Sequence, residues 1–263
     1  MIRLATISLV ALVSLSPPQN PADEVAALKR EVAALKEQQA RMQQDLQAIK
    51  SFLQAAMGGR QQGQPQPAQQ GPELPGVVGS LVPTEGEPSM GSPTAKVTIM
   101  EVSDYHCPFC RRQTQQTFPL INDEFIKTGK ARYLFVDYPI AQLHPQAARA
   151  HEAAACAGEQ GKFWQMHASL FASAPAKDDA ALTSQAQAAG ANVATFKSCL
   201  SSGRHTAPVQ ASVSRMEQLG IGGTPMTLFG ITPAPGQPMK IVTFVYGARP
   251  YADFKAAIES VLK

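Results

Sequence analysis

Asp104-Tyr105-His106-Cys107-Pro108-Phe109-Cys110 sets two thiols one helical turn apart, with a proline directly behind the first. That spacing suits a dithiol/disulfide couple. At the start of a helix, the first sulfur lies beside unpaired N–H groups and the positive end of the helix dipole, which favour thiolate over thiol. Pro108 in the first turn forfeits no hydrogen bond and pre-sets φ. Cys107 is therefore expected to be the exposed, low-pKa nucleophile. Cys110, one turn deeper, is expected to resolve the mixed disulfide. Half of a zinc site has the same spacing but needs two more ligands at matching distance. Cys156 and Cys199, 43 residues apart, do not offer that, so no metal is expected. His144, His151, His167 and His205 are scattered and read as surface or packing residues.

Around this motif the pattern is globular. Val97, Ile99 and Met100 begin a strand that runs into the cysteines, and 108–129 reads as a helix. Residues 132–138 form a second strand. A helical block rich in Ala, Gln and Leu covers about 142–218, broken near Gly158, Pro175, Gly190 and Gly203. Strands at 224–229 and 240–246 follow, joined by a Pro/Gly-rich turn, and a last helix spans 251–262. The order is strand, helix, strand, helical block, strand, strand, helix, an α/β core with a helical insertion after its second strand.

Upstream the chain changes character twice. Met1-Ile2-Arg3 and the apolar run from Leu4 to Ser16 fit a secretory signal, and the run falls short of the ~20 residues that span a bilayer. Residues 1–20 are read as a signal peptide or an N-terminal anchor. Over 21–57, Val25, Leu28, Val32, Leu35, Gln39, Met42, Leu46, Ile49, Leu53 and Ala56 hold an a/d heptad register without a slip. Glu31 with Lys36 and Asp45 with Lys50 fall at g and the following e, where opposite charges meet between parallel chains. This narrow seam suits a parallel dimer or trimer through residues 25–56 better than packing on the chain's own core. Such a helix is roughly 50 Å long. Residues 58–94, dense in Gln, Gly and Pro, read as a flexible linker whose ends average roughly 35 Å apart, with 82–94 expected to pack in part on the domain that follows.

The formal charge of +3 is small and scattered, without a Lys/Arg run or aromatic–basic interleaving, which argues against nucleic acid as a partner. No cofactor is implied. Four cysteines in an exported chain suit two pairs. Cys107 and Cys110 form one, and Cys156 and Cys199 remain.

From residue 95 to 263 the chain resembles the DsbA-like family of exported thiol–disulfide oxidoreductases. The resemblance is carried by Val102 to Cys110, by Cys156-Ala157-Gly158-Glu159-Gln160-Gly161-Lys162-Phe163-Trp164, by Gly222-Gly223-Thr224-Pro225 and by the closing helix. It implies a thioredoxin-like fold with an inserted helical domain. It also implies a cis Pro225 beside the sulfurs, with Thr224 offering backbone groups to an extended substrate. Pro108, Phe109 and His106 would border that substrate. Glu101, six residues before Cys107, matches a buried acid that moves the Cys110 proton. Cys156 and Cys199 are read as a structural disulfide, with two buried free thiols as the alternative. The implied activity is exchange with the disulfides or thiols of exported proteins in the periplasm, aided by a membrane redox partner.

Two departures bear on direction. Phe109 stands where the best-known oxidase member carries His, and Thr224 stands where strong oxidases carry Val. Both favour a disulfide isomerase or reductase, made oligomeric by the heptad segment, over a DsbA-type dithiol oxidase. A binding role, as a holdase or a Cu(I) carrier using the two thiolates, is the non-enzymatic alternative.

Overall fold

The computed structural model describes residues 32, 33, 35, 36, 39, 43, 74, 76–176 and 178–263. The chain divides into two units, Met1–Ala68 and Gln69–Lys263. In the first, Val32, Ala33, Leu35, Lys36, Gln39 and Gln43 are helical and exposed. The signal or anchor expected over 1–20, the rest of the heptad segment and residues 58–73 lie outside the described residues. Among the described residues, no helix is long and apolar enough to cross a membrane.

In the second unit the element order is β1 (Leu81–Val82), β2 (Ser89–Met90), β3 (Val97–Ser103), a helical run opening with α1 (Pro108–Arg112) and continuing through α2 (Phe118–Ile121), β4 (Ala131–Asp137), helices α3 (Ala147–Gly158), α4 (Phe163–Ala172), α5 (Asp179–Ala188), α6 (Val193–Ser202) and α7 (Thr206–Gln218), then β5 (Met226–Ile231), β6 (Met239–Tyr246) and α8 (Tyr251–Leu262). The strands form one sheet in the order β1-β6-β5-β3-β4-β2. β3 pairs in parallel with β4 and antiparallel with β5. This is a thioredoxin-like α/β fold with the helical block inserted between β4 and β5.

Every residue of β3 is buried, because helices cover both faces of the sheet. Strand alternation sorts its side chains. Val97 and Ile99 pack with Ile121, Phe125, Phe254 and Ile258, under the helical run and α8. Met100 and Val102 face the other way, onto Leu134, Val136, Met216 and Met226. Glu101, two residues after Ile99, shares its face of the strand, under the helical run and α8.

The helix after the cysteines is irregular for a local reason. Pro119 has no N–H and its ring crowds the carbonyl four residues back, so residues Gln113–Thr117 widen into a π-helix in which the Phe118 amide reaches Gln113 O. In the insertion, α3 buries Ala147, Ala150, Ala153, Ala154 and Ala157, small residues that let neighbouring helices approach closely. Asp178 and Asn192 cap α5 and α6 by accepting from Ala181 N at 2.8 Å and Thr195 N at 3.0 Å. Cys156 on α3 and Cys199 on α6 are joined by a disulfide with Cα atoms 5.7 Å apart.

Two expectations need correction. The linker expected over 58–94 ends earlier: Val77 and Val82 are fully buried, β1 pairs with β6, and β2 pairs with β4. The few apolar residues of Gly76-Val77-Val78-Gly79-Ser80-Leu81-Val82 suffice, because the sheet edges are already formed and only need covering. The strand expected at 224–229 runs Met226–Ile231 instead, since a proline cannot donate to the ladder and pairing starts behind Pro225.

β5 carries a register shift at Phe229/Gly230. A Cβ on Gly230 would run into the Lys240 carbonyl oxygen and the Met239 side chain. Gly230→Ala is expected to cost about 2–3 kcal/mol of stability in urea unfolding, since the obstacle is strand backbone that cannot step aside. Replacing Cys156 and Cys199 together by serine is expected to cost up to about 4 kcal/mol in the same assay, from the loop closure lost.

Candidate active site

Cys107 sits at the N-cap of α1, with φ −72° and ψ 123°, and Pro108 follows at the first helical position. Among the described residues, no side-chain oxygen caps this helix. The sulfur holds the place a capping serine or aspartate would take, and the leading amides are left to it. From the other side, the Cys107 thiol donates to the Thr224 carbonyl oxygen at 3.6 Å. The Thr224–Pro225 bond is cis, and Pro225 O accepts from Gly247 N at 2.8 Å, tying this loop to the end of β6.

Cys107 and Cys110 are both free thiols. The Cys107 thiol is lowered from 9.0 to about 6, foremost by the hydrogen bond that Cys110 supplies. Thr224 and the amides of Cys110 and Phe109 add to this, while burial opposes it. Cys110 moves the other way: burial pushes it well above the ordinary range, and the neighbouring Cys107 adds to the rise. The two sulfurs are thus made unequal by depth and by who donates to whom. The exposure expected for Cys107 is not found, since the residue is only 4% exposed. The cis-proline loop packs over it, with Thr224 O against the sulfur.

Around that edge, Phe109 is 54% exposed, with the Arg112 guanidinium 5.3 Å from its ring centre. His106 is half-buried, and burial lowers its pKa. Glu101 is almost wholly buried and is raised by that burial. Its Oε2 accepts from Tyr133 OH at 2.6 Å, and its Oε1 has no partner among the described atoms. Ser103 Oγ, Gln113 Oε1 and Thr224 Oγ1 are likewise buried without partners. Cys156 and Cys199 lie away from this constellation as a disulfide within the insertion, and with His205 they bring three ligand-type atoms within 4.8 Å. The bridge uses up both thiolates, so that cluster cannot hold a soft metal.

Several residues around the site carry no sequence signal of their own. Asp104 is wholly buried and accepts from His106 N, Ile140 N and His144 Nδ1. Tyr105 N approaches His151 Nε2 at 3.4 Å, and Tyr105 OH meets His167 Nδ1 at 3.2 Å. His151 Nδ1 in turn lies 2.5 Å from Asp137 Oδ1. His167 is pushed down to about 3 by burial and so stays a neutral ring among Phe135, Phe163, Trp164 and Phe171. Three of the histidines read as unrelated packing residues, His144, His151 and His167, therefore gather round the Asp104–Cys107 turn, while His205 lies against Glu159. The one hint in the sequence was the acidic and aromatic pair directly before the cysteines.

A family model described as thioredoxin matches residues 83–230, more than half of the chain. Disulfide bond formation protein D of Bacillus subtilis (strain 168) is 33% identical over 97 residues, covering 35% of this chain and 41% of that protein. Na(+)/H(+) antiporter NhaA 3 of Salinispora tropica is 29% identical over 152 residues, 57% of this chain but 23% of the antiporter. The chain thus spans about a quarter of the length of the first curated relatives it matches. Among solved structures, alpha-DsbA1 of Wolbachia pipientis superposes with a TM-score of 0.61 at 19% identity, over 69% of this chain and 93% of that one. At that identity the likeness speaks for the fold.

Alkylation of the reduced protein is expected to be half-maximal near pH 6 at Cys107, as against 9.0 for an ordinary thiol. Cys110→Ala should move the midpoint upward, because the chief donor to the sulfur is gone. A lowered pKa stabilises the folded, reduced protein above the unfolded thiol pKa. That contribution is lost as pH falls through about 6, and thermal unfolding of the reduced form across this window measures it.

Proposed function

Because the chain belongs to the thioredoxin family, we propose that its Cys107–Cys110 pair exchanges with the disulfides of exported proteins. The observation that carries this reading is the uncapped start of α1, where a thiol lowered to about 6 stands between helix amides and the Thr224 carbonyl. At neutral pH roughly nine-tenths of such a group is thiolate, the form that attacks.

In the proposed first step, the Cys107 thiolate attacks one sulfur of a substrate disulfide. The substrate S–S bond breaks, a Cys107–substrate disulfide forms, and the departing substrate thiolate takes up a proton. The chain then has two exits. The freed substrate thiolate attacks a different substrate disulfide, the thiolate released there attacks the substrate sulfur bonded to Cys107, and Cys107 leaves unchanged as thiolate, which is isomerisation with no net redox. Alternatively, Cys110 loses its proton and attacks Cys107, releasing a second substrate thiol. The substrate is then reduced by two electrons and the pair oxidised. Burial keeps Cys110 protonated until that moment, which slows the second exit and favours the first. In this reading Glu101, raised by burial and with Oε1 unpartnered, would receive the Cys110 proton.

Thr224 and Pro225 would align an extended substrate strand, and the exposed ring of Phe109, with Pro108 and His106 beside it, would meet its side chains. The isomerase reading draws on Phe109 and Thr224 and on the heptad segment. If residues 25–56 assemble two or three copies, several sites face one misfolded chain at millimolar-scale effective concentration. Helical, exposed Val32 and Leu35 support such a seam. A signal-bearing start would place the protein outside the cytoplasm, in the periplasm, either free or tethered.

The opposite direction, dithiol oxidation with a membrane partner regenerating the disulfide, draws support from the identity to disulfide bond formation protein D. The redox state of Cys107 and Cys110 in cells discriminates. The isomerase reading expects mostly reduced thiols, and mostly oxidised ones would reverse it.

Refolding of a scrambled disulfide protein is expected to be several-fold faster with the full chain than with a version starting at residue 74. Equal rates would remove the N-terminal helix from the mechanism, and unchanged activity in Cys107→Ser would remove exchange altogether. Glu101→Gln is expected to slow the Cys110 step at least about ten-fold. The same change should stabilise the protein at neutral pH. A raised carboxyl pKa adds stability only below the ordinary value of 4.5 and loses it as pH rises, and the glutamine removes that loss.

A further inference from the structure

Asp104 takes no part in the exchange steps, yet its carboxylate is fully buried three residues from Cys107. Burying a carboxylate is costly unless its lone pairs meet donors. Here they do: Oδ1 accepts from His106 N at 2.7 Å, and Oδ2 from Ile140 N at 2.9 Å and His144 Nδ1 at 2.8 Å. A carboxylate only accepts, so Nδ1 is the protonated nitrogen of His144. The main chain of Asp104 joins in, because its carbonyl oxygen accepts from Cys107 N at 3.0 Å.

These bonds connect two separate pieces of chain. β3 and β4 run in parallel, with Ser103 beside Asp137, so the turn into α1 and the loop after β4 leave the sheet side by side. Tyr138 N donates to Ser103 O at 2.9 Å and starts the second loop against the first. Ile140 and His144 belong to that loop; His106 and Cys107 belong to the turn. The carboxylate binds both. On its far side, the turn is met by His151 at Tyr105 N and by Thr224 O at the sulfur, contacts of 3.4 and 3.6 Å that are longer than those of Asp104.

We propose that Asp104 is a positioning residue of the exchange site: with His144, it pins the Tyr105–Cys107 turn to the loop after β4 and so keeps the Cys107 sulfur aimed at the amides of α1. This rests on Cys107 being the attacking thiol, as set out above. Asp104 itself never touches substrate. Its effect is transmitted through the backbone of three residues, and it differs from plain structural support in what it changes, namely the thiolate fraction of one cysteine.

The test uses the full-length reduced protein and iodoacetamide, which reads the Cys107 sulfur whatever the natural substrate. Asp104→Asn keeps the shape but turns an amide nitrogen toward one set of donors. Alkylation of Cys107 is expected to be about five-fold slower near neutral pH and to recover in alkaline buffer, the mark of a raised thiol pKa. His144→Ala should slow it about two-fold under the same conditions, and His144→Gln, which keeps a donor, should restore it. Circular dichroism checks that each variant is folded; if Asp104→Asn is not, the His144 pair decides alone. Unchanged or faster alkylation in Asp104→Asn overturns the proposal. So does slowing that persists in alkaline buffer, or a His144→Gln variant no better than His144→Ala. If alkylation shifts as expected while Cys107→Ser still supports disulfide exchange, the positioning role stands and the exchange reading falls.

Discussion

A helix N-terminus that no oxygen caps is the constraint on which this domain is organised. α1 begins at Cys107 with its first amides unspent, and unpaired amides in a protein interior must be satisfied by something. A thiolate can do it, and the bargain works both ways: the sulfur satisfies the helix start, and the helix start stabilises the charged sulfur. Pro108 removes one amide from the account and fixes the direction of the first turn. Thr224 O closes the far side, where the cis bond turns the chain toward the sulfur.

The inserted helices complete this arrangement. Cys107, Cys110 and Tyr105 lie in one apolar cluster with Phe135 of the sheet and the Ala-rich inner faces of the insertion. Burial of Cys110 in that cluster raises its pKa, while Cys107, at the rim, keeps its access to donors. The asymmetry needed for ordered attack therefore follows from depth in a shared core. The disulfide between α3 and α6 braces the same cluster from behind.

How much of this the residues announce varies by element. β3 was legible because Val97, Ile99, Met100 and Val102 leave no doubt about an interior strand, and the α/β order followed from the spacing of such runs. The strands β1 and β2 were not. Two-residue edge strands such as Leu81–Val82 have no periodicity of their own, and exist only because β6 offers a free edge. The π-widening before Pro119 was legible in principle, since a proline inside a helix must disturb the turn before it. The low exposure of Cys107 was not, because the loop that covers it lies more than a hundred residues away in the chain.

By itself the sequence determined the paired thiols, the helix start that activates one of them, the sheet-and-insertion order and the heptad spacing of apolar residues over 25–56. These are local matters: spacing, periodicity and the chemistry of adjacent residues decide them. Tertiary structure alone decided which residues serve the sulfurs. Asp104 meets His144, Tyr105 meets His151 and His167, and Thr224 meets Cys107, each pair brought together by parallel or crossed elements far apart in sequence. A hydrogen bond needs its partners within about 3 Å, and no spacing along a chain reports that distance until the sheet has fixed which strand ends lie side by side.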